Sequence, residues 1–275
     1  MSVDHYENFP VASVLCPPAL RPAVVAIYHY ARTADDIADE GMQTAAERLQ
    51  QLHCYRRALE DTVAGRPPDQ GPWPEVFTPL ARAIQRHALP SQPLSDLLLA
   101  FERDVDNPAY ATRAQLLEYC HLSANPVGRL LLHLYGVQDD LSLQQSDAIC
   151  TALQLINFWQ DFSRDHPKGR CYIPHEDALA HGLSTGALIR LSDTPASQAM
   201  VADLVRWARS LMLAGQPLAL RLPGRAGWEL RLVVQGGLRI LDKIAAMHHR
   251  SLHRRPKLHA GDMALMLWRA ARMSA

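Results

Sequence analysis

Several patterns that identify other classes of protein are missing from this sequence. Its five cysteines never stand at C-x-x-C spacing, which argues against a zinc site or a disulfide framework. No window approaches about 18 uninterrupted apolar residues. The opening MSVDHYENFP also has no apolar signal core. We therefore expect a cytoplasmic protein, in a reducing compartment, that does not span a membrane.

The chain also lacks a net charge, because 28 basic residues balance 28 acidic ones. No global electric field would draw it to nucleic acid or to an anionic membrane, and we expect no nucleic-acid partner. Only three of the basic residues are lysines, so arginine supplies nearly all the positive charge. An anionic ligand must be bound by locally placed groups.

Alternating strand patterns are almost absent, whereas helical periodicity recurs from end to end. We predict an all-α protein with a single domain over residues 1–275. Three capping boxes mark helix starts, namely Thr44 with Glu47, Thr112 with Gln115 and Ser142 with Gln145. The predicted helices follow Pro18 up to about Glu40 and then lie near 45–64, 74–88, 92–105, 113–124, 127–136, 143–164, 197–221, 227–250 and 262–272.

Acidic residues cluster at the end of the first predicted helix, in the segment YHYARTADDIADE over residues 28–40. Asp35 and Asp39 are four residues apart, so they project from one helix face about 6 Å apart along the axis. Tyr28 and Arg32 extend the same stripe backward. The acids Asp35, Asp36 and Asp39 are therefore candidates for a cation site, with a solvated helix end as the alternative.

A second segment, NFWQDFSRD over residues 157–165, repeats this arrangement. Asn157, Asp161 and Asp165 follow at steps of four, so three oxygen-bearing side chains line one face. The residues between them are mostly apolar, and carboxylates on such a buried helix require a partner.

Two carboxylates about 6 Å apart repel by roughly 3 kcal/mol at an effective dielectric constant near 20. Nearby arginines would relieve that repulsion in a purely structural role. Magnesium is the stronger solution, because it takes one or two carboxylates, keeps several waters and bridges to substrate phosphates. The two aspartate motifs therefore predict a magnesium site for a diphosphate.

These two segments resemble the metal motifs of the squalene and phytoene synthase family, with support from HYENF, Tyr119, Val127-Gly128 and KGRCYIP (168–174). The resemblance implies an α-helical isoprenoid synthase fold around a central cavity and about three Mg²⁺ ions with the bound diphosphate. It implies metal ligands at Asp35, Asp36, Asp39, Asn157, Asp161 and Asp165. It assigns catalysis to Asp35, Asp39, Asp161, Asp165, Tyr28 and Tyr119, and substrate contacts to Phe9, Arg32, Gln154, Phe158, Trp159, Tyr172 and Arg254.

Within the family, HYENFPVAS, ARTADDIADEG and the run Phe158-Trp159-Gln160 are most similar to the bacterial subgroup of hopanoid pathways that forms hydroxysqualene. That subgroup takes presqualene diphosphate from a partner synthase, ionises it and captures the rearranged cation with water. NADPH is then not expected. Gln160 departs from the arginine that many members carry before the second-motif aspartate, which removes a positive charge near the diphosphate.

Other functions remain open on the motifs alone. The enzyme alternatives are a presqualene diphosphate, squalene or phytoene synthase. A non-catalytic assembly or binding protein of the same fold is a second class, and a His/Asp phosphohydrolase a third. The apolar stretch Met263–Trp268 predicts either core packing or a peripheral membrane contact.

Overall fold

All regular structure in the described part of the chain is helical. The computed structural model describes residues 16–66, 71–184 and 192–274, which contain twelve α-helices, one short 3-10 helix at His166–Lys168 and no strand. The helices are α1 Arg21–Asp39, α2 Ala45–Val63, α3 Pro74–His87, α4 Ser91–Val105, α5 Arg113–Ser123, α6 Asn125–Leu134, α7 Asp140–Asp165, α8 His175–Ala180, α9 Pro195–Gly215, α10 Leu218–Arg221, α11 Gly224–Ala246 and α12 Ala260–Ala271. The all-α prediction is confirmed.

The chain divides into two compact units, one extending to Pro108 and including Leu122–Leu143, the other containing Ala109–His121 and the chain from Gln144 onward. The extent predicted for a single domain stays a prediction. No helix in the described ranges has the length and apolarity needed to cross a bilayer.

Buried tyrosines hold the helices of the first unit together. Here α1 packs against α3 and α4, and α2 packs against α4. Tyr30 of α1 is fully buried, and its hydroxyl donates to the Leu94 carbonyl of α4 at 2.8 Å. The Tyr55 hydroxyl donates to the Tyr30 carbonyl at 3.0 Å. These bonds satisfy buried polar atoms in an otherwise apolar core and so fix the position of α1.

A glycine allows two helices of the second unit to pack closely. In this unit α11 packs against α9, α10 and α12. A Cβ atom on Gly215 would lie 2.5 Å from the Gln145 carbonyl oxygen, so α9 can approach α7 only with glycine there. The helix predicted over 197–221 is in fact two, because α9 ends at Gly215 and Pro217 precedes the short α10. The helix α11 ends at Ala246, four residues before the predicted end at residue 250. Just beyond it, His248 and His249 adopt left-handed backbone conformations.

Two of the three predicted capping boxes mark the observed helix starts. Thr44 and Glu47 form a complete box at the start of α2. The Thr112 hydroxyl accepts from the Gln115 N–H at the start of α5, while the Gln115 side chain turns to the Ala111 N–H. The start predicted at Ser142 is wrong, since α7 begins at Asp140.

Asp139 explains the early start of α7. Its carboxylate accepts from the Ser142 N–H at 3.0 Å and therefore occupies the capping position that the sequence pattern assigns to Ser142.

Candidate active site

The first aspartate motif occupies the last turns of α1, where three carboxylates surround one guanidinium. Arg32 contacts Asp35 at 3.0 Å, Asp36 at 2.7 Å and Glu40 at 3.1 Å. Asp39 is half-buried on the same stripe as Asp35. Partial burial opposes the charge on Arg32, but Asp35 and Asp36 raise the pKa of its guanidinium.

This end of α1 carries an excess of negative charge. Its four acids are Asp35, Asp36, Asp39 and Glu40, and no basic residue lies in the last turn of the helix. The C-terminal end of a helix is also the negative pole of its dipole. Carboxylates placed there are less stable than at an N-terminus unless a cation binds, so the local electrostatics suit a bound cation.

The second motif lies in the other unit, on the last turns of α7. Asp161 forms a two-point ion pair with Arg255, whose Nη2 lies 3.2 Å from Oδ2 and whose Nε contacts Oδ1. Both side chains are only 13% exposed. Buried charges of this kind require a partner, and Arg255 is the partner that Asp161 has in this structure.

Gln160 fixes the segment that carries Arg255. Its side chain is fully buried, and its Nε2 donates to the Pro256 carbonyl at 2.8 Å. The amide therefore supports the loop between α11 and α12. The positive charge beside Asp161 comes from Arg255. This arginine directly precedes Pro256, whose carbonyl accepts the hydrogen bond from Gln160.

An aromatic cluster lies along the α7 motif. Phe158 stacks on Tyr172 with ring centroids 3.7 Å apart, and Tyr119 lies 6.3 Å from Phe158. Tyr110, which the sequence patterns did not indicate, lies 5.7 Å from Tyr119 and 6.1 Å from Tyr172. The structure thus brings three of the predicted residues into one group and adds Tyr110.

Backbone and ionic contacts hold this cluster together. The His175 N–H donates to the Tyr110 carbonyl at 2.9 Å, which ties the start of α8 to the chain before α5. Arg113 pairs with Asp177 through Nη2 at 2.6 Å, and its guanidinium also lies over the Trp207 ring at 4.6 Å. The segment carrying Tyr172 is therefore held beside the residues that carry Tyr110 and Tyr119.

The other predicted residues have different settings. Trp159 is fully buried against Phe162 and Trp207, with ring centroids at 5.7 Å and 6.4 Å, so it belongs to the packed core. Arg254 is exposed, whereas its neighbour Arg255 makes the buried pair. The half-buried residues are Tyr28, Gln154 and Asp165, and Asn157 is exposed. Phe9 lies outside the described residues.

Both motifs supply hard oxygen donors, the ligand type that magnesium prefers. No group of three or more His, Cys, Asp or Glu side chains in the described ranges is arranged as a complete metal site. Asp35, Asp36 and Asp161 are instead paired with Arg32 and Arg255. The donor chemistry fits a divalent cation, and binding one would require these carboxylates to exchange an arginine for the metal.

Comparison with known proteins gives consistent matches over most of the chain. A model of squalene/phytoene synthases matches residues 3–262. Hydroxysqualene synthase of Rhodopseudomonas palustris is 35% identical over 229 residues, which is 82% of this chain and 75% of that protein. Presqualene diphosphate synthase of Zymomonas mobilis is 30% identical over 178 residues, 64% of this chain and 59% of that protein.

A solved structure of similar sequence has the same fold. The crystal structure of a squalene synthase from Alicyclobacillus acidocaldarius is 35% identical and superposes with a TM-score of 0.81, covering 89% of this chain and 90% of that one. The helices described above therefore form the isoprenoid synthase fold.

Proposed function

The chain belongs to the squalene/phytoene synthase family, and we propose that it converts presqualene diphosphate to hydroxysqualene and diphosphate. The observation that carries this choice is the similarity to hydroxysqualene synthases, at 35% identity over 82% of the chain. The two aspartate motifs supply the chemistry that such a reaction needs, and the aromatic cluster supplies the surroundings for its cation.

The aspartate motifs are proposed to hold magnesium. The ligands would be Asp35, Asp36, Asp39, Asn157, Asp161 and Asp165, with about three ions for a diphosphate. When bound, magnesium supplies the positive charge that stabilises diphosphate as a leaving group. Arg32 and Arg255 already lie against these carboxylates. Once released, their guanidinium groups would pair with phosphate oxygens, and Arg254 is a further candidate for that contact.

The aromatic cluster is proposed to face the hydrocarbon part of the substrate. The ring faces of Phe158, Tyr119 and Tyr172 that are not covered by one another would stabilise a carbocation without attacking it. Their burial also limits the water near the cation. The oxygen of a water molecule bonds to the rearranged cation, and loss of one proton to the departed diphosphate gives the alcohol. This route consumes no hydride, and NADPH is therefore not required.

A second candidate is the preceding reaction, which joins two farnesyl diphosphates into presqualene diphosphate. The 30% identity to a presqualene diphosphate synthase supports this candidate. The same chemistry leads us to propose a partner synthase that supplies presqualene diphosphate when this chain performs the later step.

One experiment separates these reactions. The purified protein is incubated with magnesium and either farnesyl diphosphate or presqualene diphosphate, with and without NADPH, and the extract is analysed by mass spectrometry. We expect hydroxysqualene from presqualene diphosphate alone, with no effect of NADPH. Presqualene diphosphate formed from farnesyl diphosphate, or squalene formed only with NADPH, would replace the proposal with the corresponding synthase.

Asp39→Asn and Asp161→Asn test the metal ligands. Each change should remove most turnover and weaken magnesium binding in isothermal titration with a non-hydrolysable diphosphate. Asp161→Asn should also lower the melting temperature, because it leaves the buried Arg255 without its carboxylate. A variant that keeps nearly full turnover would remove that residue from the proposed metal site.

A further inference from the structure

The helix α12 turns large apolar side chains toward solvent. Met263, Leu267 and Trp268 are 49%, 47% and 54% exposed, and Ala264 and Ala271 are exposed on the same side. These positions follow at helical spacing, so they form one continuous stripe that we call the α12 apolar face. A contiguous exposed apolar surface on a soluble protein marks a site of interaction.

The opposite side of α12 is firmly attached to the protein. Asp262 is buried and accepts from Arg239 at 2.7 Å and from Lys243 at 2.5 Å, and the Arg269 guanidinium contacts Asp242 at 2.7 Å. The inward side of the helix thus holds these charged groups together with the buried Met266 and Ala270, while Leu267 and Trp268 lie on the outer side. A helix that served only the core would expose polar side chains on its outer side.

The chain that leads into α12 is basic and contains no acid. No Asp or Glu occurs between Asp242 and Asp262. Arg250, Arg254 and Lys257 are exposed within that stretch, which we call the basic segment, residues 250–257. At the other end of the helix, Arg272 lies over the Trp268 ring at 4.7 Å. Cationic residues therefore precede the α12 apolar face in the sequence, and Arg272 follows it.

This combination matches the surface of an anionic bilayer. Tryptophan and leucine enter the boundary between headgroups and acyl chains, while lysine and arginine contact anionic headgroups. A second copy of the chain is a poorer occupant, because a symmetric contact through this face would bring two basic segments together. The charge pattern therefore favours lipid over self-association.

We propose that the α12 apolar face and the basic segment dock the protein on an anionic membrane surface. The biological rationale rests on the proposed function, since presqualene diphosphate is an amphiphile and hydroxysqualene is insoluble in water. Pro256 and Arg255, which contact Gln160 and Asp161, lie inside the basic segment. The docking surface is thus continuous in sequence with residues that hold the second aspartate motif.

Vesicle flotation tests the proposal without requiring turnover. The full chain is mixed with vesicles of phosphatidylcholine alone or of equal parts phosphatidylcholine and phosphatidylglycerol. We expect binding to the mixed vesicles and a blue shift of tryptophan emission. The double change Leu267→Gln with Trp268→Gln should lower the partition coefficient at least about ten-fold. Arg250→Gln and Lys257→Gln should each lower it by roughly five-fold.

A matched control uses an exposed leucine and an exposed tryptophan elsewhere in the same unit. Leu179 on α8 and Trp228 on α11 are 63% and 42% exposed, and Arg231 lies over the Trp228 ring at 5.0 Å. Leu179→Gln with Trp228→Gln should leave flotation unchanged. Substitution is preferable to removing α12, because truncation would also delete the buried ion pairs of Asp262.

Three outcomes would overturn the inference. Equal loss of flotation in the control variant would show that general hydrophobicity, not this face, drives binding. Equal binding to neutral and mixed vesicles would remove the role of the basic segment. Absence of flotation together with a dimer that the Leu267 and Trp268 changes dissociate, seen by light scattering, would assign the face to a second copy. None of these outcomes depends on which diphosphate the enzyme accepts.

Discussion

Two adjacent arginines near the second aspartate motif differ in burial and in their contacts. Arg254 is exposed, whereas Arg255 is largely buried and forms a two-point ion pair with Asp161. Removing one member of a buried ion pair leaves the other charge desolvated and unpaired. Removing an exposed arginine carries no such penalty. Substitution of the two arginines should therefore affect the free energy of unfolding differently, although the residue type is the same.

We predict that Arg255→Gln lowers the free energy of unfolding by about 3–5 kcal/mol. Arg254→Gln is the matched control, and its effect should stay within about 0.5 kcal/mol because surface changes rarely exceed that. Urea denaturation followed by circular dichroism measures both. Equal values for the two variants would show that the Arg255–Asp161 pair is not buried in solution. A raised KM in Arg254→Gln at unchanged stability would support its proposed contact with diphosphate.

Gln160 shows how a buried amide fixes a neighbouring functional group. Its Nε2 donates to the Pro256 carbonyl at 2.8 Å, in a fully buried setting. We predict that Gln160→Leu costs about 1–3 kcal/mol of stability, because the carbonyl is left without its donor. Gln154→Leu, at a half-buried position of the same helix, should cost less in the same denaturation experiment. A smaller loss at Gln160 than at Gln154 would contradict this role.

Among the helices, the approach of α9 to α7 depends on the absence of a side chain. A methyl group at Gly215 would meet the Gln145 carbonyl oxygen at 2.5 Å and the Ile149 side chain at 2.6 Å. Because a backbone atom cannot rotate away, the helices would have to separate. Overpacking of this kind typically costs about 1–3 kcal/mol.

Gly215→Ala should therefore lower the melting temperature clearly. Gly261→Ala is the matched control, since no atom lies within 4 Å of a Cβ at that helical position. There the change should be neutral or stabilising by up to about 1 kcal/mol. Differential scanning calorimetry distinguishes the two, and a tolerated alanine at 215 would mean that α7 and α9 do not pack closely at this position in solution.

Local sequence patterns predicted the helices better than they predicted the contacts between helices. Thr44 and Glu47 located the start of α2 because a capping box acts within four residues. The helix start predicted at Ser142 was wrong because the carboxylate of Asp139, three residues earlier, caps α7 instead. The six-residue α8 was missed, since one and a half turns are too short to show a periodicity.

Contacts that determine the site span long stretches of sequence. The choice of Arg255 over Arg254 depends on the hydrogen bond between Gln160 and Pro256, which joins residues 96 positions apart. A loop has no periodicity that would reveal which of two neighbours points inward. Tyr110 was missed for a similar reason, because its place beside Tyr172 follows from the backbone contact between Tyr110 and His175.

At the scale of the whole molecule, buried tyrosines make the first unit sensitive to alkali. Tyr30 and Tyr55 stack in the core of the first unit with ring centroids 5.4 Å apart. Burial, followed by the proximity of Tyr55, raises the pKa of Tyr30, and burial likewise raises the pKa of Tyr55. The folded state therefore holds these protons at a pH where the unfolded chain releases them.

Stability from these tyrosines is fully present below the unfolded tyrosine pKa of about 10 and is lost as the pH rises above it. We predict that unfolding of the first unit becomes easier above about pH 10, by up to about 1.4 kcal/mol per pH unit for each tyrosine. Calorimetry across this range should show that the free energy of unfolding falls less steeply with pH in Tyr55→Phe than in the wild type. An unchanged slope would mean that Tyr55 ionises alike in the folded and unfolded states.

The distribution of thiols offers a way to place one probe in each of the two units. Cys16 and Cys120 are buried, and burial raises the pKa of Cys120 to about 12, so this thiol stays protonated and unreactive near neutral pH. Cys54 and Cys150 are half-buried and belong to different units. With the remaining cysteines replaced by serine or alanine, spin labels at Cys54 and Cys150 would report any change in the distance between these two positions when the proposed substrate is added.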